Sequence, residues 1–296
     1  MDVALAVDVG ASKFACGLVD ARGSVILQRQ VPVDRSLDAD GLFGHLADLV
    51  RAVLRHAQVA ELSVVVCGVG APGPITANLE RITPVNLTIW REFPLRERLA
   101  SVVQVPVAGD VDTKALAIGE GWVGGAVGIA NYLAMVVSTG IGGGVVLDGR
   151  LLQGESANAG HVGHIIVVPD GRQCGCRARG CLEAEASGRA IEAMTGRPAT
   201  DASAAIVERT GRLVGRAVAS VVNLLDLSLV LVAGSVALGF GEPFFAAAQA
   251  ELDTSCRLGG ASRPVIRAAG LGEESPLVGA AGVGWRALGR VRFPGR

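Results

Sequence analysis

A chain of 296 residues is longer than one average domain, and 50% of it is hydrophobic, so two lobes with separate cores are expected. Its 27 Lys and Arg balance 28 Asp and Glu, and aromatics make up only 4%, which argues against a nucleic-acid or anionic-membrane partner and for a small molecule. No uncharged run of 18 apolar residues predicts a membrane span, and the acids at Asp2 and Asp8 come too early for a secretory signal. A cytoplasmic, reducing location follows as the expectation. There Cys16, Cys67 and Cys256 read as buried free thiols, and the other three cysteines as metal ligands.

Residues 3–9 (VALAVDV) read as a strand ended by Gly10-Ala11-Ser12, and FACGLVD (14–20) and VILQRQV (25–31) as two further strands of an antiparallel meander. Asp8 followed by Gly10, Ser12 and Lys13 can offer backbone N–H groups and a hydroxyl to a phosphate, although such a string also makes an ordinary turn. Between Asp38 and Ala57, Leu42, Leu46, Leu49, Val50, Val53 and Leu54 recur at helical spacing. LSVVVCGVG (62–70) is a buried strand running into the Pro/Gly loop APGPIT.

VVQVPVAG (102–109) predicts a strand leading into Asp110 and a helix carrying Ala115, Leu116, Ile118 and Gly119. Taken alone, Asp110 at that junction reads as a helix cap. ANYLAMVV (130–137) predicts a strand, followed by a glycine-rich turn, a strand, a turn and a short strand. Four glycines within 138–144 are entropically costly for a plain hairpin, which makes Thr139, Gly140, Gly142 and Gly143 candidates for contacting a ligand. Ile206 to Leu225 reads as a long buried helix, LSLVLVAG (227–234) as a strand ending at Gly234, and VIRAAG as another strand. Pro276 to Ala281 opens a closing helix, and GRVRFPGR reads as a frayed end. No repeat, linker or low-complexity tract interrupts the chain.

Between them lies GHIIVVPDGRQCGCRARGCLE, where His164 is followed by Cys174, Cys176 and Cys181. One imidazole and three thiols are a complete tetrahedral zinc set with no open position, so the metal is expected to stiffen a loop and take no part in chemistry. The alternative is loop thiols beside a surface histidine.

At these residues the chain resembles the ROK family of sugar kinases and repressors. GHVGH (160–164) and CGCRARGCLE (174–183) stand where the family has GEIGH and CxCGxxGCLE, and the similarity runs through essentially the whole chain. The resemblance implies an α/β, two-lobed actin-like ATPase (ribonuclease H-like) fold with a structural zinc site. It implies a small lobe over 1–108, joined by a C-terminal helix at about 283–296, and a large lobe over 109–282 carrying a zinc knot at 164–181. It further implies ATP and Mg2+ between the lobes, Zn2+ as a structural ion, and a homodimer. DVGASK resembles the phosphate loop DxGGTK, with Asp8 towards Mg2+ through water and Gly10, Ser12 and Lys13 near phosphates. Thr139, Gly140, Gly142 and Gly143 resemble the second phosphate loop, and Gly234 a turn beside adenine. Asn86, Leu87 and Trp90 resemble NLxxW beside the sugar, although Trp90 reads equally as core. GDVDTKALAIGE resembles NDxNxAALGE, which makes Asp110 the base for a sugar 6-hydroxyl. His164 and Glu183 would reach hydroxyls 1 and 2. A family repressor carries a helix-turn-helix domain before the first strand, so the enzyme branch is expected here.

Two expected sugar ligands are replaced: the Asn before Asp110 is Gly109, and the Glu of GEIGH is His161. Both implied partners face hydroxyl 3. A site built around a hydroxyl discriminates when those partners change, so the expected acceptor is altered at carbon 3, as in kanosamine. A C7 cyclitol kinase, an ordinary glucokinase and a non-catalytic sugar sensor are the alternatives.

Overall fold

The computed structural model describes residues 1–256 and 263–291. The chain divides into two compact units, one built from Met1–Val127, Gln153–Ala159 and, among the described residues, 271–291, the other from Gly128–Leu152 and Gly160–Gly270. The boundary expected at 108/109 falls inside a strand of the first unit, because residues 107–111 are hydrogen-bonded into its sheet.

The first unit begins with β1 (Asp2–Val9), β2 (Lys13–Asp20) and β3 (Val25–Pro32), an antiparallel meander in which Asp8 faces Ala15 and Phe14 faces Val31. β1 is buried along most of its length, as expected of a central strand. Helix α1 (Ala39–Val59) starts where the Asp38 carboxylate accepts the Gly41 N–H at 2.7 Å. It buries the Leu42, Leu46, Leu49, Val50 and Val53 stripe. β4 (Ser63–Ala71) pairs parallel with β1. Next comes helix α2 (Leu95–Val103), which corrects the expected strand at 102–109. Leu95, Leu99 and Val103 keep helical spacing and are buried, and Gln104 ends the helix in the left-handed region (φ 56°). Only β5 (Val107–Val111) is strand, and Asp110 lies within it. Helix α3 (Asp112–Trp122) follows.

The second unit contains β6 (Tyr132–Val137), β7 (Ile141–Leu147), β8 (Arg150–Leu151), α4 (Leu182–Ala186), α5 (Gly188–Thr195), α6 (Ala204–Leu225), β9 (Leu229–Ala233), α7 (Ser235–Phe240), α8 (Glu242–Ser255) and β10 (Val265–Ala268). Among the described residues each unit holds one five-stranded sheet, ordered β3-β2-β1-β4-β5 and β10-β9-β6-β7-β8. Read from the meander side, the second order is the first repeated. In both, a central strand has an antiparallel pair on one side and two parallel strands on the other. This repeated α/β order is consistent with the actin-like duplication.

Helix α9 (Ser275–Ala287) returns to the first unit, buried along nearly its whole length against β1 and β4. A Cβ at Gly68 would enter the Ala280 carbonyl, so glycine there permits the close approach. Trp285 donates its indole N–H to Asp20 O at 3.1 Å. The C-terminal helix was expected at about 283–296; it ends at Ala287, and residues 292–296 lie outside the described residues. No described helix is long and apolar enough to cross a membrane.

Candidate active site

In the first unit, β1 delivers Asp8 to its end, and the turn closes with Gly10 N–H donating to Lys13 O at 3.0 Å. A Cβ at Gly10 would lie 2.6 Å from that oxygen, which requires glycine. Ser12 and Lys13 are exposed on this turn, with Lys13 Nζ donating to Gln30 Oε1 at 3.1 Å. Arg35 donates to Ala11 O at 3.0 Å and adds a second cation to the loop that no motif announced. Asp112, at the start of α3, shares a neighbour with Asp8: a Cβ on Gly70 would lie 3.5 Å from the Asp112 Cα and 3.8 Å from the Asp8 Oδ1. Burial pushes the Asp8 pKa up to about 7, the charge of Asp112 adding to the rise and Lys13 opposing it. Burial likewise raises Asp112 to about 6, against a hydrogen bond from the Thr113 N–H.

Asp110 is buried (7% exposed) in β5. Its Oδ1 accepts the Val111 N–H at 2.8 Å and its Oδ2 accepts the Gln153 side-chain amide at 2.9 Å. The Lys114 ammonium lies 3.7 Å from Oδ1. Gly109 N–H donates to Asn78 Oδ1 at 2.9 Å, and the space a side chain at 109 would occupy is filled by Leu79. Asn78 and Leu79 both have φ of 53°, an uncommon conformation for non-glycine residues. Asn158 holds the loop after β4 by exchanging two hydrogen bonds with Ile75, at 3.1 and 2.9 Å. Asn86 Oδ1 is buried without a hydrogen-bond partner, an acceptor still open to a ligand donor. Trp90 is core: fully buried, it stacks on Phe14 and Phe93 at centroid distances of 5.7 and 4.7 Å.

In the second unit, Gly142 and Gly143 lie within β7, opposite Val136 and Met135. The Gly143 N–H donates to Gly160 O at 3.0 Å, and a side chain at 143 would press on Leu133 and Val162 at 3.0 Å. Gly143 therefore admits the 160–162 segment onto the strand, and Ser138 to Gly140 form the turn. A cavity of about 330 Å3 opens there, lined by Thr139, Gly188, Arg189, Ser235, Val236 and Phe240, among others. Gly234, at φ 102°, turns the chain from β9 into α7, and Ser235 meets Ser138 at 2.9 Å.

Glu183, in the first turn of α4, accepts the Ile141 N–H at 3.0 Å and faces Arg189 at 3.8 Å. His161 is exposed, its ring 5.8 Å from that of His164. His164, Cys174, Cys176 and Cys181 place four ligand atoms within 4.8 Å of one another. His164 Nδ1 to Cys174 Sγ and Cys176 Sγ to Cys181 Sγ are both 3.6 Å. A tetrahedral zinc with bonds of about 2.0–2.3 Å sets ligand separations of roughly 3.5–3.8 Å, which these two pairs match, and one imidazole with three thiols is a donor chemistry that suits the ion. The buried Glu185 fastens the knot, accepting the Arg172 N–H at 2.7 Å and the Arg209 guanidinium at 2.6 Å.

Lys114, Gln153, Asn158 and Asp112 were not recognised from the sequence. The i, i+4 spacing of Asp110 and Lys114 was available there, whereas Gln153 joins them across 43 positions.

Sugar kinases are among the known proteins this chain is similar to. It is 33% identical over 252 residues to an N-acetylmannosamine kinase of Escherichia fergusonii, covering 80% of this chain and 84% of that one. It is 34% identical over 191 residues to the glucokinase of Streptomyces coelicolor, spanning 64% of this chain but only 58% of the glucokinase. A ROK family glucokinase from Streptomyces griseus, solved with glucose and AMPPNP, superposes with a TM-score of 0.79 at 28% identity, covering 96% of this chain and 99% of that one. The family model for ROK matches residues 4–284, and the chain belongs to the ROK family.

Proposed function

We propose that the protein is an ATP-dependent sugar kinase that phosphorylates the 6-hydroxyl of a glucose-like hexose altered at carbon 3. The observation that carries the reading is Asp110: a buried carboxylate fixed by donors on both oxygens, in a chain whose relatives are named as sugar kinases. In the reaction Asp110 takes the proton of the hydroxyl as that oxygen bonds to the γ-phosphorus. The bond from this phosphorus to the β-phosphate bridge breaks, so ADP leaves and a sugar 6-phosphate forms. The cavity at Thr139 and Ser235 has the size and mixed lining suited to a nucleotide base, with Gly140 in the turn beside it. Asp8, with Asp112 beside it, would hold Mg2+, which neutralises phosphate charge when bound. His164, Cys174, Cys176 and Cys181 would hold Zn2+ as a structural ion. Nδ1, which lies beside Cys174 Sγ, would hold the metal, and the His164 ring would then carry its proton on Nε2 and could only donate to a sugar hydroxyl. Asn86, Glu183 and His161 complete the sugar contacts. The same reading carries a cytoplasmic homodimer, by resemblance to the family.

The carbon-3 preference is motivated by Gly109 and His161. Leu79 occupies the space beside Gly109, so an apolar group stands where a polar side chain would project. An ordinary glucokinase is the second reading, favoured by the name of the Streptomyces coelicolor relative.

The test is ATP consumption with Mg2+ against glucose, N-acetylmannosamine, mannose, fructose, kanosamine and a C7 cyclitol. A C3-altered acceptor should be preferred, and Asp110→Asn should lose about 10²–10⁴-fold in kcat. Equal rates on glucose and kanosamine remove the carbon-3 argument, and a fully active Asp110→Asn removes the base.

A further inference from the structure

Lys114 is a lysine with 0% exposure, in the first two turns of α3. An ammonium stripped of water is tolerated only when its donors are matched, and burial here pulls its pKa below the usual lysine range while Asp110 pulls it back. Its matches are specific. Nζ donates to Gln153 Oε1 at 2.7 Å and to Ala157 O at 2.9 Å, and its remaining neighbours are Gln153 O at 3.4 Å and Asp110 Oδ1 at 3.7 Å. An ammonium can only donate, so the Gln153 amide must turn its oxygen to Lys114. That leaves its nitrogen to Asp110, where Nε2 donates to Oδ2 at 2.9 Å. The Val111 N–H already binds Oδ1. The rotation of the Asp110 carboxylate is thereby set by an amide whose own orientation is set by a buried cation.

We infer that Lys114 and Gln153 act together as positioning residues for Asp110, the ammonium orienting the amide and the amide holding the carboxylate oxygen that receives the acceptor's proton. This rests on the reading of Asp110 as the base. The same ammonium ties down the 153–159 segment through Ala157, and that segment also carries the Asn158 clamp on Ile75. One side chain thus couples the order of a surface segment to the geometry of the base. A transferred proton needs its acceptor held within a fraction of an ångström, which is the need such a relay meets.

The test is steady-state kinetics with MgATP and the better of glucose and kanosamine, on wild type, Lys114→Met, Gln153→Leu, the double variant and Gln153→Glu, with thermal melts on each. Lys114→Met and Gln153→Leu should each lower kcat by about 10-fold or more, with the sugar KM within about threefold. The double variant should be no slower than the slower single, because both break one relay. Gln153→Glu separates positioning from mere structure: it still accepts from Lys114 but sets a second carboxylate against Asp110 in place of a donor, so kcat should fall and the acid limb of its pH profile should move to higher pH, a shift that a merely structural role would not produce. Gln153 is exposed, so its variants keep the question answerable even if Lys114→Met fails to fold. A Gln153→Glu enzyme with wild-type kcat, or additive losses in the double variant, overturns the inference while leaving Asp110 as base. Absence of sugar-dependent turnover in the wild type removes the kinase reading and this inference with it.

Discussion

Asp8 and Asp112 show what burial does to a carboxylate. Unfolded, both ionise near pH 4; folded and without metal, they hold their protons to about 7 and about 6. Between these limits the native state binds more protons than the unfolded chain, so stability falls as pH rises from about 4 to about 7. A divalent cation held at the pair, as proposed, would displace the protons and restore what was lost. Metal-free protein should therefore melt at a lower temperature at pH 7.5 than at pH 5, and Mg2+ should raise the melting temperature more at the higher pH. Asp8→Asn should melt higher than wild type at pH 7.5 without metal and respond less to Mg2+; equal Mg2+ responses at both pH values would refute the linkage. Asp8 was legible in DVGASK because a strand, an acid and a glycine sit together in sequence. Asp112 was passed over because only folding brings it beside Gly70, where Asp8 also lies.

At the scale of elements, the knot from His164 to Cys181 has little regular structure and depends on a few fixings. The cluster of His164 and the three cysteines is one, and Glu185 is the other, reaching back from α4 to Arg172 and across to Arg209 on α6. Gly180, at φ 75°, sits so close to Val168 O that no side chain fits. Metal analysis should find one zinc per chain, lost in Cys176→Ser. Chelation should lower the melting temperature, each kcal/mol lost amounting to about 2–4 °C in a chain of this size. A wild-type chain that melts unchanged after complete chelation would mean that Glu185 and the glycines suffice. The clustering of these four residues was legible because all lie within 18 consecutive residues. Helix α2 was misread at its end, since VVQVPV carries β-branched residues whose strand preference yields to the burial of Leu95, Leu99 and Val103 on one helical face. The glycines of β7 were read as a ligand cradle because their entropic cost calls for a reason. At Gly143 the reason in the structure is close contact with the chain at 160–162.

At the scale of the molecule, the first unit is assembled from three separate stretches of chain, and its last one carries α9. Leu277, Val278, Val283 and Trp285 are buried there, and each contributes about 1.5–3 kcal/mol. Their sum rivals the roughly 5–15 kcal/mol by which a whole domain is stable. A chain ending at Gly270 should therefore leave the first unit unfolded, read as loss of its protected amides in hydrogen exchange; retained protection over β1 and β4 would show that the meander and α1 suffice. The repeated strand order is a property at this scale too, since five short apolar runs in each half specify strands but not their neighbours.

The amino-acid sequence by itself determined what depends on near neighbours: the strands and long helices written in apolar periodicity, the cluster of His164 with three cysteines, and through its motifs the family. The tertiary structure alone decided what depends on residues far apart in the chain. It buried Trp90 in the core, filled the space beside Gly109 with Leu79, and brought Gln153 to Asp110 and Lys114. The reason is physical: periodicity and motif spacing encode contacts a few residues long, whereas a carboxylate's hydrogen-bond partners are chosen by which distant segments the packed core brings within 3 Å of it.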